Sequence, residues 1–132
     1  MHTQTRKRKQ KQKQDMIIQF MEMLMMVKLY HWKTSSYAVH KATDELYSKL
    51  NEDIDRFIET LLGHSGGSRI HMTQRHIRCI DISSLPELKR EVEKYKRFLN
   101  TLQLSKGSND LLNIRDEIVG NLNQFLYLLS FQ

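Results

Sequence analysis

The 132-residue sequence predicts an all-α protein: four helices in a bundle, with one long connection between the second and the third. Three observations lead there. With 39% apolar residues, five Gly and one Pro, the composition suits a helical globular chain better than a disordered or turn-rich β one. Apolar residues recur at steps of three and four in four separate stretches. The breaks between those stretches run short, long, short, as two antiparallel helix pairs joined by a single crossover require. The length allows one hydrophobic core rather than two.

The first helix is predicted over roughly residues 13–34, where Ile17, Phe20, Leu24, Val27 and His31 share one side. Met16, Met21, Met23, Met25 and Met26 fall in the same helix and read as pliable core or interface filler rather than as a thioether site. Thr34, Ser35 and Ser36 break the pattern and offer an N-cap. The second helix then runs to Gly63 with Val39, Leu46, Leu50, Ile54, Phe57 and Leu61 as its apolar stripe. Lys41, Glu45, Lys49, Glu52 and Arg56 form its polar face. A third face holds His40, Asp44, Tyr47, Asn51, Asp55, Ile58, Glu59 and Leu62. A surface helix needs only one buried face, so the mixed third face suggests a subunit contact.

Residues 64–83 keep no helical period and contain Gly66 and Gly67, which marks them as the long connection. Their His71, His76 and Cys79 invite a zinc site, but a single thiol at this spacing matches no standard finger. Ser84, with Glu87 three residues later and Pro86 in the first turn, announces the third helix as a capping box. Leu88, Val92, Tyr95, Leu99 and Leu102 carry it toward a stop at Gly107. Ser108, Asn109 and Asp110 offer the next cap, and Leu111, Ile114, Ile118, Leu122, Phe125 and Leu129 make the fourth stripe. Helices connected in this order belong to the ferritin-like four-helix bundle, here expected over residues 15–132.

The formal charge of +6 is unevenly placed. Arg6, Lys7, Arg8, Lys9, Lys11 and Lys13 lie within residues 1–14, where there is no acid and no apolar residue between Met1 and Met16. That stretch is expected to be a flexible basic arm able to meet DNA or another anionic surface. Gln19 and Glu22 interrupt the apolar run that follows, so neither a signal peptide nor a membrane span is expected. One cysteine asks for no oxidising compartment. These features fit a cytoplasmic or nucleoid-associated protein of a bacterium or, for a large DNA virus, a protein of the virion or of the infected-cell cytoplasm.

His40, Asp44, Asp55 and Glu59 follow the pattern H-x3-D-x10-D-x3-E, and His31 precedes them at the end of the first helix. At about 100° per residue, steps of four, eleven and four keep the four on one strip. Imidazoles and carboxylates together suit Fe(II), and the carboxylates retain Fe(III). The bland alternative is a solvated acidic face beside two incidental histidines.

The segment from His31 to Glu59 resembles the ferroxidase motif of Dps proteins, the mini-ferritins that protect DNA during starvation. His31-Trp32 matches the family's His-Trp pair, and His40, Asp44, Asp55 and Glu59 match its His, Asp, Asp and Glu at the same spacings. The interval between His31 and His40 is three residues shorter than is usual there, and Thr60 follows Glu59 where an arginine is frequent. Outside these thirty or so residues the likeness is one of pattern. The Glu-x-x-His pairs of ordinary ferritins are absent from the sequence. The resemblance implies a site shared across a two-fold axis, with the two His and Asp44 from one subunit and Asp55 and Glu59 from its mate. It also implies oxidation of iron by peroxide or oxygen and a homodimer assembling into a cage of twelve. Two other functions stay open: a catalytically weak Dps-like module kept for DNA binding or assembly, and a bundle that uses iron or zinc as a staple between subunits.

Overall fold

Four helices, α1 (His2–Lys33), α2 (Tyr37–His64), α3 (Leu85–Asn100) and α4 (Asn109–Leu129), make up the all-α bundle. The structure is a computed structural model that describes residues 2–131, with side chains from Arg6 onward. No strand occurs among the described residues. No helix among them is long and apolar enough to cross a membrane.

Two helix boundaries differ from expectation. The segment read as a basic arm is helical, and α1 starts at His2 rather than near residue 13. Gln, Lys and Arg are good helix formers, and no Gly or Pro interrupts them, so the helix extends past the last residue with a core to bury. α3 ends at Asn100, well short of Gly107. The Thr101 hydroxyl takes the terminal carbonyls of Arg97 (2.8 Å) and Phe98 (3.2 Å). Leu102 and Leu104 then pack against the core from outside the helix.

Other boundaries form as the side chains dictate. The Ser36 hydroxyl accepts from the Val39 N–H at the start of α2. At α3, Ser84 Oγ accepts from the Glu87 N–H (3.3 Å) while Glu87 Oε2 accepts from the Ser83 N–H (2.9 Å), the reciprocal bonding of a capping box displaced by one residue. Ser108 is buried at the start of α4 but makes no capping bond, and Asp110 accepts from the Leu111 N–H instead.

The connection from Ser65 to Ser84 decides the topology. Gly66 and Gly67 take positive φ of 74° and 80°, and the Gly67 N–H closes α2 on the Leu62 carbonyl (2.8 Å). The chain then runs alongside α1 toward the end of that helix. Gln14 Oε1 accepts from the N–H groups of Thr73 (2.6 Å) and Gln74 (3.2 Å), Glu22 Oε1 from the Arg78 N–H (3.1 Å), and Lys33 Nζ donates to Asp81 (2.8 Å). Ile82 plugs the core just before α3 begins. Because His64 at the end of α2 meets Asp110 at the start of α4, α1 and α4 run one way and α2 and α3 the other. α2 packs on both α1 and α4, and α3 packs on α4.

All four predicted stripes face one core. Phe20 of α1 meets Phe57 of α2 (5.4 Å between rings) and Phe98 of α3 (5.6 Å), with Leu50, Leu88, Val92, Leu99, Ile118, Leu122 and Phe125 buried around them. Met16, Met23 and Met26 are core residues, whereas Met21 is exposed. Burial beside Glu22 and Glu91 holds the Tyr95 hydroxyl far above its ordinary pKa of 10.0.

Candidate functional site

The turn Thr34–Ser36 folds α2 back on α1 and brings His31, in the last turn of one, against His40, in the first turn of the other. Their rings stack with centroids 3.9 Å apart and planes 17° from parallel. Each imidazole is tied to the other's backbone: His31 Nδ1 lies 2.8 Å from the His40 carbonyl and His40 Nδ1 lies 2.9 Å from the His31 carbonyl. The arrangement follows from the helix end, since α1 stops at Lys33 and leaves the His31 carbonyl without an intrahelical donor. Thr43, with 0% exposure, donates its hydroxyl to the Val39 (2.8 Å) and His40 (3.0 Å) carbonyls, and its oxygen lies 3.1 Å from His31 Nδ1.

A carbonyl oxygen only accepts, so both Nδ1 atoms carry the hydrogen. In the neutral rings both Nε2 atoms are then lone-pair donors, and an Nδ1–H to carbonyl bond is the usual way a metal-binding imidazole is oriented. His31 is only 9% exposed and His40 half-buried, so the pair is fixed rather than loosely solvated.

Asp44 is exposed one turn beyond His40. Asp55 and Glu59 are exposed farther along α2. At 1.5 Å per residue, the fifteen-residue step from His40 to Asp55 spans about 22 Å, too far to share an ion. Accordingly, no three His, Cys, Asp or Glu side chains converge as a metal-binding group among the described residues. A single chain holds the five candidate residues as two separate groups: His31, His40 and Asp44 near one end of α2, Asp55 and Glu59 toward the other. The zinc trio does not form either. His71 lines a groove with Lys7 and Gln14, while Cys79 lines another with Lys28 and Trp32.

The surface beside the strip is apolar. Leu24, Met25, Leu29 and Trp32 of α1 and Tyr47 of α2 line a shallow groove, and Trp32 is 68% exposed. Lys28 Nζ spans it, 4.7 Å from the Tyr47 ring centroid and 5.5 Å from that of Trp32. Ile58 and Leu62 are half-buried on the same side of α2.

One ionisable residue escaped the sequence reading. Asp53 is 9% exposed against α4, where its Oδ2 accepts from Asn121 Nδ2 (2.8 Å). Burial, then Glu117, raises its pKa above the ordinary 3.8, while Arg56 pulls the other way. The signal was there to find, since Asp53 stands seven residues after Leu46, within the apolar stripe.

A raised carboxyl pKa favours the folded state only while the proton is present. That contribution is full below the unfolded value near 3.8 and is lost as pH rises through the folded value. Asp53→Asn keeps an acceptor for Asn121 and removes the buried charge. Thermal melts should therefore show the variant more stable at pH 7, on the order of 1 kcal/mol. The gain should vanish in acid below the ordinary carboxyl range.

Comparison with known proteins places the chain without giving it an activity. The "Family of unknown function (DUF5856)" matches residues 31–129, a span that includes all five candidate residues. An "Uncharacterized 14.6 kDa protein in mobD-ri intergenic region" of Enterobacteria phage T4 is 39% identical over 120 residues, covering 86% of this chain and 88% of that protein. No solved structure matches. On the extent of the family match and of the phage relative, the chain belongs to the family of unknown function DUF5856.

Proposed function

We propose that the chain is a Dps-type, ferritin-like iron protein that oxidises Fe(II) at a site completed by a second copy of itself. The observation that carries this reading is the symmetry of the donor strip. His40 and Glu59 are equidistant from the midpoint between Lys49 and Leu50, and so are Asp44 and Asp55. Two α2 helices packed antiparallel about a two-fold axis there set His40 opposite Glu59 of the partner subunit and Asp44 opposite Asp55 of the partner subunit. The two groups, whose nearest members Asp44 and Asp55 lie about 16 Å apart along one α2, are thereby joined, twice per dimer.

The groove of Leu24, Met25, Leu29, Trp32 and Tyr47 supports the same pairing, since it offers apolar surface beside the strip for a partner to cover. Electrostatics supply the specificity for a cation. Facing carboxylates repel unless a positive charge lies between them, and the Nε2 lone pairs complete a mixed nitrogen and oxygen donor set suited to Fe(II). The reaction balances with peroxide: two Fe(II) give one electron each, and two protons convert the peroxide to two waters. His31 and His40, held by their Nδ1 bonds, orient the reduced ion. The carboxylates hold the ferric product.

Larger assembly into a cage, and contact of Arg6, Lys7, Arg8, Lys9, Lys11 and Lys13 with DNA, complete the proposal and add physical shielding to chemical protection. Anaerobic Fe(II) titration followed by light scattering tests it. Saturable binding should accompany growth of the particle to a dimer or larger. Binding that fails to saturate, on a particle that stays a single chain, would refute the shared site.

A further inference from the structure

Charge in the folded chain gathers in a place that no single segment accounts for. Residues 1–14 carry six Lys and Arg, and residues 65–80 carry Arg69, Arg75 and Arg78 with His71 and His76; neither segment contains an acid. Together they hold nine of the twenty-one bases and none of the fifteen acids, so the rest of the chain has twelve bases against fifteen acids. The fold lays these two segments side by side.

The contact is built rather than incidental. Lys7, Gln10, Lys11 and Gln14 recur at steps of three and four along one side of α1, and with His71 and Thr73 they line a common groove. Three bonds to Gln14 Oε1 pin the connection at Thr73 and Gln74, and Lys13 Nζ donates to Ser65 Oγ (3.0 Å). Arg78 is partnered by Glu22 at 3.9 Å. Lys7, Lys11, Arg69 and Arg75 are exposed, and none is in an ion pair among the described residues. Apart from Arg78, these cations are therefore not neutralised by an ion pair among the described residues.

We propose that the outer half of α1 and the connection 65–80 form one composite groove that holds the phosphate backbone of double-stranded nucleic acid. The proposal rests on the reading that the basic N-terminal segment meets nucleic acid, and it adds the connection as an equal partner. The side-chain amide N–H groups of Gln10 and Gln14 beside the cations are donors of the kind that phosphate contacts use. Neither segment contains Phe, Tyr or Trp, so the surface has no aromatic platform on which the bases of a single strand would stack. Binding is therefore by backbone charge, independent of sequence and strongly salt-dependent.

The test titrates the full chain with a short mixed-sequence duplex over a salt series. Two paired variants are compared, Lys7→Gln with Lys11→Gln on the helix and Arg69→Gln with Arg75→Gln on the connection. Arg90→Gln with Lys106→Gln serves as a control of equal charge elsewhere. Each groove pair should reduce the slope of log affinity against log salt by about 2 and weaken binding about tenfold, with little change in the control. If only the helix pair has this effect, the composite groove is wrong and the basic segment binds alone. If no pair has an effect beyond the control, the nucleic-acid reading of the segment fails with it. Equal affinity for anionic phospholipid vesicles would overturn duplex nucleic acid as the occupant.

Discussion

Replacing Asp55 and Glu59 together by Ala should lower Fe(II)-dependent peroxide consumption by about 100-fold or more, since lost supporting contacts alone cost 10- to 100-fold at metal sites and these are proposed ligands. Both side chains are exposed and enter no ion pair among the described residues, so the fold should tolerate the change. Surface substitutions of this kind usually shift stability within about 0.5 kcal/mol. A variant with an unchanged melt and unchanged peroxide consumption would remove the acids from the reaction. A variant that loses activity only through unfolding would show it in the melt.

The second large effect is on the bundle itself. Phe57 is fully buried and its ring packs 5.4 Å from that of Phe20, which in turn meets Phe98, so one side chain ties α2 to α1 and through it to α3. Phe57→Ala deletes the α2 member of that cluster and leaves Phe20 without its partner ring, and such truncations cost about 3–5 kcal/mol. Domains of this size are stable by roughly 5–15 kcal/mol, so the variant should melt far lower and unfold at much less denaturant. A loss below about 1 kcal/mol would mean that the cavity collapses and the aromatic cluster is not the keystone of the packing.

The helices could be read from the chain wherever periodicity and caps agreed. Val39 through Phe57, Leu88 through Leu99 and Leu111 through Leu129 bury as their spacing predicts, and Ser84 with Glu87 caps α3. Errors arose where those signals separate. Residues 2–14 have helical propensity without apolar residues, so pattern reading placed the start of α1 at its first buried turn. Leu102 continued the α3 spacing by one step, but Thr101 had already closed the helix on the Arg97 carbonyl. The long connection was recognised by its glycines and lost period, yet its pinning to Gln14 and Glu22 depends on tertiary contacts that no local pattern encodes.

The candidate site was legible in part for similar reasons. Residue types and spacing marked His31, His40, Asp44, Asp55 and Glu59, and the structure keeps the last three exposed as a surface strip requires. The mutual bonds of His31 and His40 were not legible, because they depend on the length of the Thr34–Ser36 turn and on the free carbonyl at the end of α1. Asp53 was overlooked because its position belongs to the apolar stripe, where an acid is accommodated only with partners such as Asn121 and Arg56.

The most direct test of a site divided between two copies is to mix two inactive variants, His40→Ala and the double variant Asp55→Ala with Glu59→Ala. Each alone lacks part of every site. On the proposed pairing, the histidines of one chain in a mixed dimer would meet the intact acids of the other, restoring one of its two sites. Random pairing should return about a quarter of the wild-type peroxide consumption. Activity that stays at the level of the separate variants, although mixed dimers have formed, would contradict the shared site.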